Sequence, residues 1–241
     1  MKTLFIALVL LFFVSGSVSS QNIKVPSIGS KAPSFTAKST MGELTFPNAF
    51  GNSWKILFSH PQDFTPVCST ELLELANMKS DFDSLGVMIA VISTDDLNQH
   101  NNWKKHLEEI NYKSHGKQKI NFPLFEDQRH TVAKMYGMIH GAVSTSRDIR
   151  GVFVIDSENI IRSINFYPKE LGRNMHEITR IVEALQRSDS EQVVIPANWN
   201  EGDDVMVSYR PYTEQQLVMN PKIADNYYNL GNMLWFKKGG K

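Results

Sequence analysis

Trp54-Lys-Ile-Leu-Phe-Ser-His-Pro-Gln-Asp-Phe-Thr-Pro-Val-Cys-Ser-Thr-Glu71 is the stretch on which the fold turns, because the hydrophobic period changes inside it. Its first part, Trp54 to His60, is a short and mostly apolar run stopped by Pro61, which suits a buried strand. From Pro66 onward the period is helical: Leu75, Met78, Phe82 and Leu85 recur with Glu, Lys and Asp between them, up to Gly86. Thr65 is placed to be the N-cap and Pro66 the first helical residue. Cys68 therefore falls in the first turn, where backbone N–H groups lack intrahelical partners and the helix dipole is positive. That setting favours a thiolate, the nucleophilic form of cysteine. The same position also suits a cysteine packed as a small buried hydrophobe, and position alone leaves both readings open.

Outward from this stretch, strands and helices alternate. Val25 to Pro33 is a Pro/Gly-punctuated lead-in, read as extended loop. Gly86 to Ser93 is a second buried strand, Leu97 to Asn111 a charged surface helix, and Arg129 to Tyr136 a short helix ended by Gly137. Gly151 to Ile155 and Ile160 to Phe166 read as a hairpin around Asp156-Ser-Glu-Asn159. Asn174 to Arg187 is amphipathic, with Ile178, Ile181, Val182 and Leu185 on one face. This order predicts an α/β fold, a mixed central sheet flanked by helices. Beyond Ser188 the sequence turns polar but keeps large anchors, among them Trp199, Tyr209, Tyr212 and Trp235. That style predicts a C-terminal arm, too polar for a core of its own, which packs on something such as a second subunit. The expected organisation is a leader at 1–20, a globular domain at 21–188 and an extension at 189–241.

Composition narrows the classes of partner. The chain has 241 residues, and its 25 Lys and Arg balance 25 Asp and Glu, so no strong field is available to gather nucleic acid. Residues 1–20 run from a basic start through an apolar run, Leu4 to Val14, into small polar residues, the order of a secretory signal peptide. The run is short for a bilayer span, so export is expected rather than stable membrane insertion. The chain holds a single cysteine, Cys68, and can form no internal disulfide. A lone cysteine in an exported chain is an intermolecular link, a buried bystander or a reactive thiol.

The surroundings of Cys68 decide among these. Pro61-x-x-x-Thr65-x-x-Cys68 matches the active-site pattern of peroxiredoxins, and LFSHPQDFTPVCSTEL resembles their one-cysteine class. The resemblance continues in order through Gly51-Asn-Ser-Trp54, Ser93-Thr-Asp-Asp96, Phe122-Pro-Leu124, Asp127, Arg150, Tyr167-Pro168, Gly172-Arg-Asn174 and Pro196-x-x-Trp199. It thus spans the chain from the lead-in to about Val207 and implies a thioredoxin-like fold.

The resemblance also implies roles. Cys68 would attack the terminal oxygen of hydrogen peroxide or an organic hydroperoxide and become a sulfenic acid, a thiol-dependent peroxidase reaction. Thr65 would offer its hydroxyl to the thiolate and the bound peroxide, and Pro61 would wall the pocket. Arg150 would favour the thiolate and polarise the peroxide, since its donors can follow the charge as the O–O bond breaks. His60 would give polar support near the oxidised sulfur or serve as a buried structural histidine, and Arg173 would support the pocket. No metal or cofactor is implied, and a homodimer is.

The second half of the cycle follows from counting. Two-cysteine relatives resolve the sulfenic acid with a cysteine before the proline of Cys-Pro-x-x-Trp; here Ile195 stands before Pro196. The reductant must then be an external thiol, glutathione-like or thioredoxin-like. A phospholipase activity credited to some members of the class lacks its base here: Ser53 is present, but Pro47 stands at the histidine position and Glu158 at that of the aspartate. The non-enzymatic alternative is an exported signalling or binding protein with a vestigial Cys68. The segment Asn226 to Phe236 departs from the usual tail of the class.

Overall fold

The computed structural model describes residues 23–239, so the expected leader at 1–20 lies outside the described residues. The first elements are a hairpin, β1 (Phe35–Ser39) and β2 (Gly42–Phe46), beyond the sequence expectations. Only Phe35, Ser39 and Phe46 of this hairpin are buried, too sparse an alternation to mark strands in the sequence. Next comes β3 (Trp54–Ser59), then α1 (Pro66–Asn77), α2 (Lys79–Ser84), β4 (Val87–Ser93) and α3 (Leu97–Leu107). After these follow β5 (Leu124–Glu126), α4 (Thr131–Met135), β6 (Arg150–Ile155), β7 (Ile161–Tyr167) and α5 (Met175–Glu191). The strands build one seven-stranded sheet in the order β2-β1-β5-β4-β3-β6-β7. β3, β4 and β5 are parallel, whereas β6, β7 and the hairpin run antiparallel to their neighbours, so the sheet is mixed as expected.

Residues of the central strands alternate between two apolar layers, as the period of two requires. Ile56, Phe58, Ile89, Val91, Val152 and Val154 face the layer that holds the buried sides of α1, α2 and α5 together with Trp103 and Leu107 of α3. Leu57, Ala90, Ile92, Phe153 and Ile155 face the other layer, closed by Phe35, Phe46 and the α4 residues Val132 and Ala133. The sheet is buried on both faces, which explains why these strands are nearly continuous apolar runs.

The expected long helix from Pro66 to Leu85 is two helices. The backbone bends at Met78 (φ −91°, ψ 12°), yet Leu75, Met78 and Phe82 all stay buried, so the apolar period survives the break. The last helix of the domain starts as expected. Asn174 caps it by accepting from the N–H groups of His176 and Glu177, a contribution of about 1 kcal/mol. It ends later, at Glu191, and so runs through the expected boundary at 188/189.

The extension forms a small sheet of its own and shares a small apolar cluster with α5. β8 (Val205–Val207), α6 (Glu214–Met219), β9 (Tyr227–Leu230) and β10 (Leu234–Lys237) follow α5, and the strands pair in the order β8-β10-β9. Trp199, Val193 and Val205 are buried against Ala184 of α5. One indole thus supplies much of the apolar area that the polar composition does not. Tyr228 and Phe236 stack across β9 and β10 with ring centroids 4.9 Å apart.

Candidate active site

Cys68 lies in the first turn of α1, where the sequence places it. The helical ladder opens with Ser69 N–H donating to Thr65 O at 2.9 Å, so the N–H groups of Val67 and Cys68 stand ahead of it without intrahelical partners. The Cys68 side chain is fully buried within the apolar layer that includes Leu72 and Trp103. Its polar contact is Arg150, whose Nη1 donates to Sγ at 3.1 Å. The two residues are 82 positions apart, and the sheet brings them together. β6 pairs antiparallel with β3 up to Phe58↔Val152, which sets Arg150 beside the turn from β3 into α1. Beyond that last pair the Ser59 hydroxyl continues the ladder, donating to Ile149 O at 2.7 Å and accepting from Gly151 N–H at 2.8 Å. Gly151 allows this approach, since a Cβ there would come within 3.0 Å of Ser59 Oγ and 3.2 Å of the Phe153 ring.

Arg150 is held on two sides. Its Nε and Nη2 donate to Lys169 O at 3.2 and 2.7 Å, and Nη1 also donates to Glu71 Oε2 at 2.7 Å. Glu71 is one helical turn beyond Cys68, on the same face of α1, and is buried. It also receives Arg173, through Nε at 2.9 Å, Nη2 at 2.7 Å and the backbone N–H at 2.8 Å. Arg173 Nη1 meanwhile donates to Ser59 O and Gly151 O, tying β3 to β6. Burial would push Glu71 up, but the charge and hydrogen bonds of Arg173, then the charge of Arg150, bring its acidity below the ordinary value. Glu71 is a site residue that the sequence expectations lack, as are Arg147 and Asp148 near Arg150. The signal of Glu71 was a lone acid on the buried face of a helix, between Cys68 and Leu72.

His60 is drawn into a second polar cluster. It is fully buried, packs on the Trp103 ring at 5.1 Å between centroids, and meets Asp63 Oδ1 through Nε2 at 2.8 Å. Asp63 Oδ2 meets His100 Nδ1 at 2.7 Å, and Asp63 N–H donates to Asp95 Oδ2 at 2.8 Å. Burial acts to raise Asp63, but the hydrogen bonds and charges of His100 and His60 outweigh it and lower its pKa to about 2. His60, Asp63 and Asp95 also form a group of metal-ligating type, with donor atoms within 4.8 Å of one another. Both oxygens of Asp63 are engaged by histidines, and Asp95 Oδ1 by Arg147 Nη1 at 2.5 Å. The cluster is thus wired internally, and it fixes the loop that carries Pro61 to Thr65.

Beside the first turn that carries the buried Cys68 lies a cleft of about 470 Å³, walled by Pro61, Thr65, Val67, Arg147, Asp148 and Arg150 among others. Of the expected pocket residues, Pro61, Thr65 and Arg150 are in this wall, while His60 and Arg173 lie behind it. Thr65 holds the N-cap position but does not cap with its side chain; its hydroxyl donates to Gln62 O at 2.9 Å, closing the turn that precedes α1. A larger hollow of about 980 Å³ lies between α5 and the extension and contains none of these residues. Ser53 precedes β3, at the end of that strand remote from the Cys68 loop.

Comparison with known proteins agrees with this geometry. Residues 28–164 match the AhpC/TSA family, and residues 184–217 match the C-terminal domain of 1-Cys peroxiredoxin. A peroxiredoxin of Methanosarcina mazei is 47% identical over 184 residues, covering 76% of this chain and 84% of that relative. A mutant of the peroxiredoxin 6 of Arenicola marina superposes with a TM-score of 0.78 at 31% identity, over 90% of this chain and 99% of that one. The yeast mitochondrial 1-Cys peroxiredoxin superposes with a TM-score of 0.76 at 35% identity, over 89% of this chain and all of the other (100%). A buried lone thiol under an arginine at the start of a thioredoxin-like helix, in a chain with these relatives, has one reading: the chain belongs to the AhpC/TSA family as a one-cysteine peroxiredoxin, a thiol-dependent peroxidase.

Proposed function

We propose that Cys68 is the peroxide-reducing nucleophile and that Arg150 is its electrostatic partner. The observation that carries this is the 3.1 Å approach of Arg150 Nη1 to Sγ inside a buried site. The guanidinium donors beside the sulfur can meet the peroxide oxygen as charge gathers on it. The thiolate attacks the terminal oxygen, the O–O bond breaks, and a sulfenic acid and water or an alcohol result. Pro61 walls the approach, and Thr65 presents its hydroxyl oxygen at the same wall. Arg173 works through Glu71 as a positioning residue for Arg150, and His60 through Asp63 as one for the loop.

The chain has one cysteine, so the sulfenic acid is returned to thiol by an external thiol. The yeast mitochondrial relative is resolved via glutathione/thioredoxin systems, which supports the same reductant classes for this chain. Mass spectrometry of Cys68 after one equivalent of hydrogen peroxide, with and without glutathione or thioredoxin, tests both halves. Sulfenic acid at Cys68, cleared by a thiol, is the expected result; undiminished peroxide consumption by a Cys68→Ser protein would falsify it.

We further propose export and a homodimer. The basic, apolar and small-residue order of residues 1–20 supports export, and the amino terminus of protein recovered from the medium tests it. Exposed Tyr209, Val218, Met219 and Met233 on the extension support a subunit contact, which sedimentation of the wild type against Met219→Glu checks.

A further inference from the structure

Asp148 has no role in the reading above, and its setting is unusual. It is only 2% exposed, and neither carboxyl oxygen has a hydrogen-bond partner among the described residues. Buried carboxyl groups are ordinarily paired or hydrogen-bonded. The guanidinium next to it in sequence, Arg147, is committed elsewhere, with Nη1 at 2.5 Å from Asp95 Oδ1. Asp148 nevertheless lines the same cleft as Arg150, the residue that reaches the Cys68 sulfur. The two are separated by one residue, Asp148 lying in the segment that leads into β6 and Arg150 being the first residue of that strand.

We propose that Asp148 is held as a neutral acid in the wall of the peroxide cleft and returns a proton to the departing oxygen. The chemistry requires such a donor. As the Cys68 thiolate bonds to the terminal oxygen of the peroxide, the O–O electron pair leaves with the other oxygen, as hydroxide or alkoxide. Sulfur is oxidised by two electrons and the peroxide is reduced by the same two. The leaving oxygen takes the Asp148 proton and departs as water or alcohol, and the carboxylate then regains a proton from water. Arg150 carries no proton it can release at neutral pH, so it can stabilise the leaving charge but not remove it. Burial, then the carboxylates of Asp127 and Asp95, push the acidity of Asp148 well above the usual carboxylate range, and Arg147 only partly opposes them.

This inference rests on the Cys68 site described above, and leaving-group chemistry separates the two. Hydrogen peroxide expels hydroxide, which needs a proton; peracetic acid expels acetate, which does not. Asp148→Asn should therefore slow Cys68 oxidation by hydrogen peroxide about 10²-fold, the lower range for general acids, and leave oxidation by peracetic acid unchanged. Equal slowing with both oxidants, or none with either, would overturn the proposal and leave the Cys68 site standing. Hydrogen peroxide consumption by the Cys68→Ser protein at the wild-type rate would overturn the site and the proposal together. Asp148→Thr, smaller and without an acid, gives the same comparison if the Asn protein does not fold.

Discussion

Arg150 serves Cys68 and Glu71 with the same nitrogen: Nη1 lies 3.1 Å from the sulfur and 2.7 Å from Oε2. The carboxylate therefore sets where the guanidinium sits relative to the thiol. It does so with help from Arg173, which reaches it through three N–H groups.

Replacing that carboxylate removes the shared counter-charge of two buried arginines. Glu71→Gln should destabilise the fold by about 3–5 kcal/mol, the cost of leaving buried charges unpaired. Peroxide oxidation of Cys68 should slow by up to about 10²-fold as Arg150 loses its hold. Urea denaturation and stopped-flow oxidation measure the two effects, and a faster-reacting variant would contradict the assignment.

The junction of β3 and β6 is built for a residue without a side chain. A methyl group at position 151 would come within 3.0 Å of Ser59 Oγ and 3.2 Å of the Phe153 and Phe166 rings. Gly151→Ala is expected to cost about 1–3 kcal/mol by overpacking and to lower the peroxidase rate, because Arg150 is the preceding residue. Wild-type rate and wild-type urea midpoint together would refute this.

Acid should loosen the His60–Asp63–His100 cluster. The folded pKa of Asp63 lies below the ordinary 3.8, at about 2, so its ionised form stabilises the fold above the ordinary value. That contribution is lost as pH falls through the window from 3.8 to about 2 and amounts to roughly 2 kcal/mol. Urea midpoints followed from neutral pH into that window should decline in the wild type. Asp63→Asn should be less stable at neutral pH and show a shallower decline.

The extension depends on one indole. Trp199 is 2% exposed and packs with Val193, Val205 and Ala184, while the Arg187 guanidinium lies over its ring. Trp199→Ala should cost about 3–5 kcal/mol of packing and make the segment after Glu191 sensitive to limited proteolysis while the sheet stays intact. Protection equal to the wild type would show that the extension is held elsewhere.

Local pattern was enough for part of this molecule. The run from Trp54 to His60, the Thr65-Pro66 start and the position of Cys68 are written in neighbouring residues, because strand period, cap and first turn are short-range properties. The lone cysteine and Ile195 before Pro196 likewise state the need for an outside thiol without any coordinates. The hairpin Phe35–Phe46 and the strand Leu124–Glu126 were not legible, since their stability comes from neighbours in the sheet rather than from their own alternation. Nor was the contact between the thiol and its guanidinium. Cys68 and Arg150 stand 82 residues apart, and Glu71 looks like an ordinary helical acid until two arginines close on it. Sequence alone determined the place of the one cysteine in the first turn of a helix and its solitude. Only the tertiary structure decided what surrounds the sulfur, because the energy of a buried charge depends on which partners the fold brings within reach.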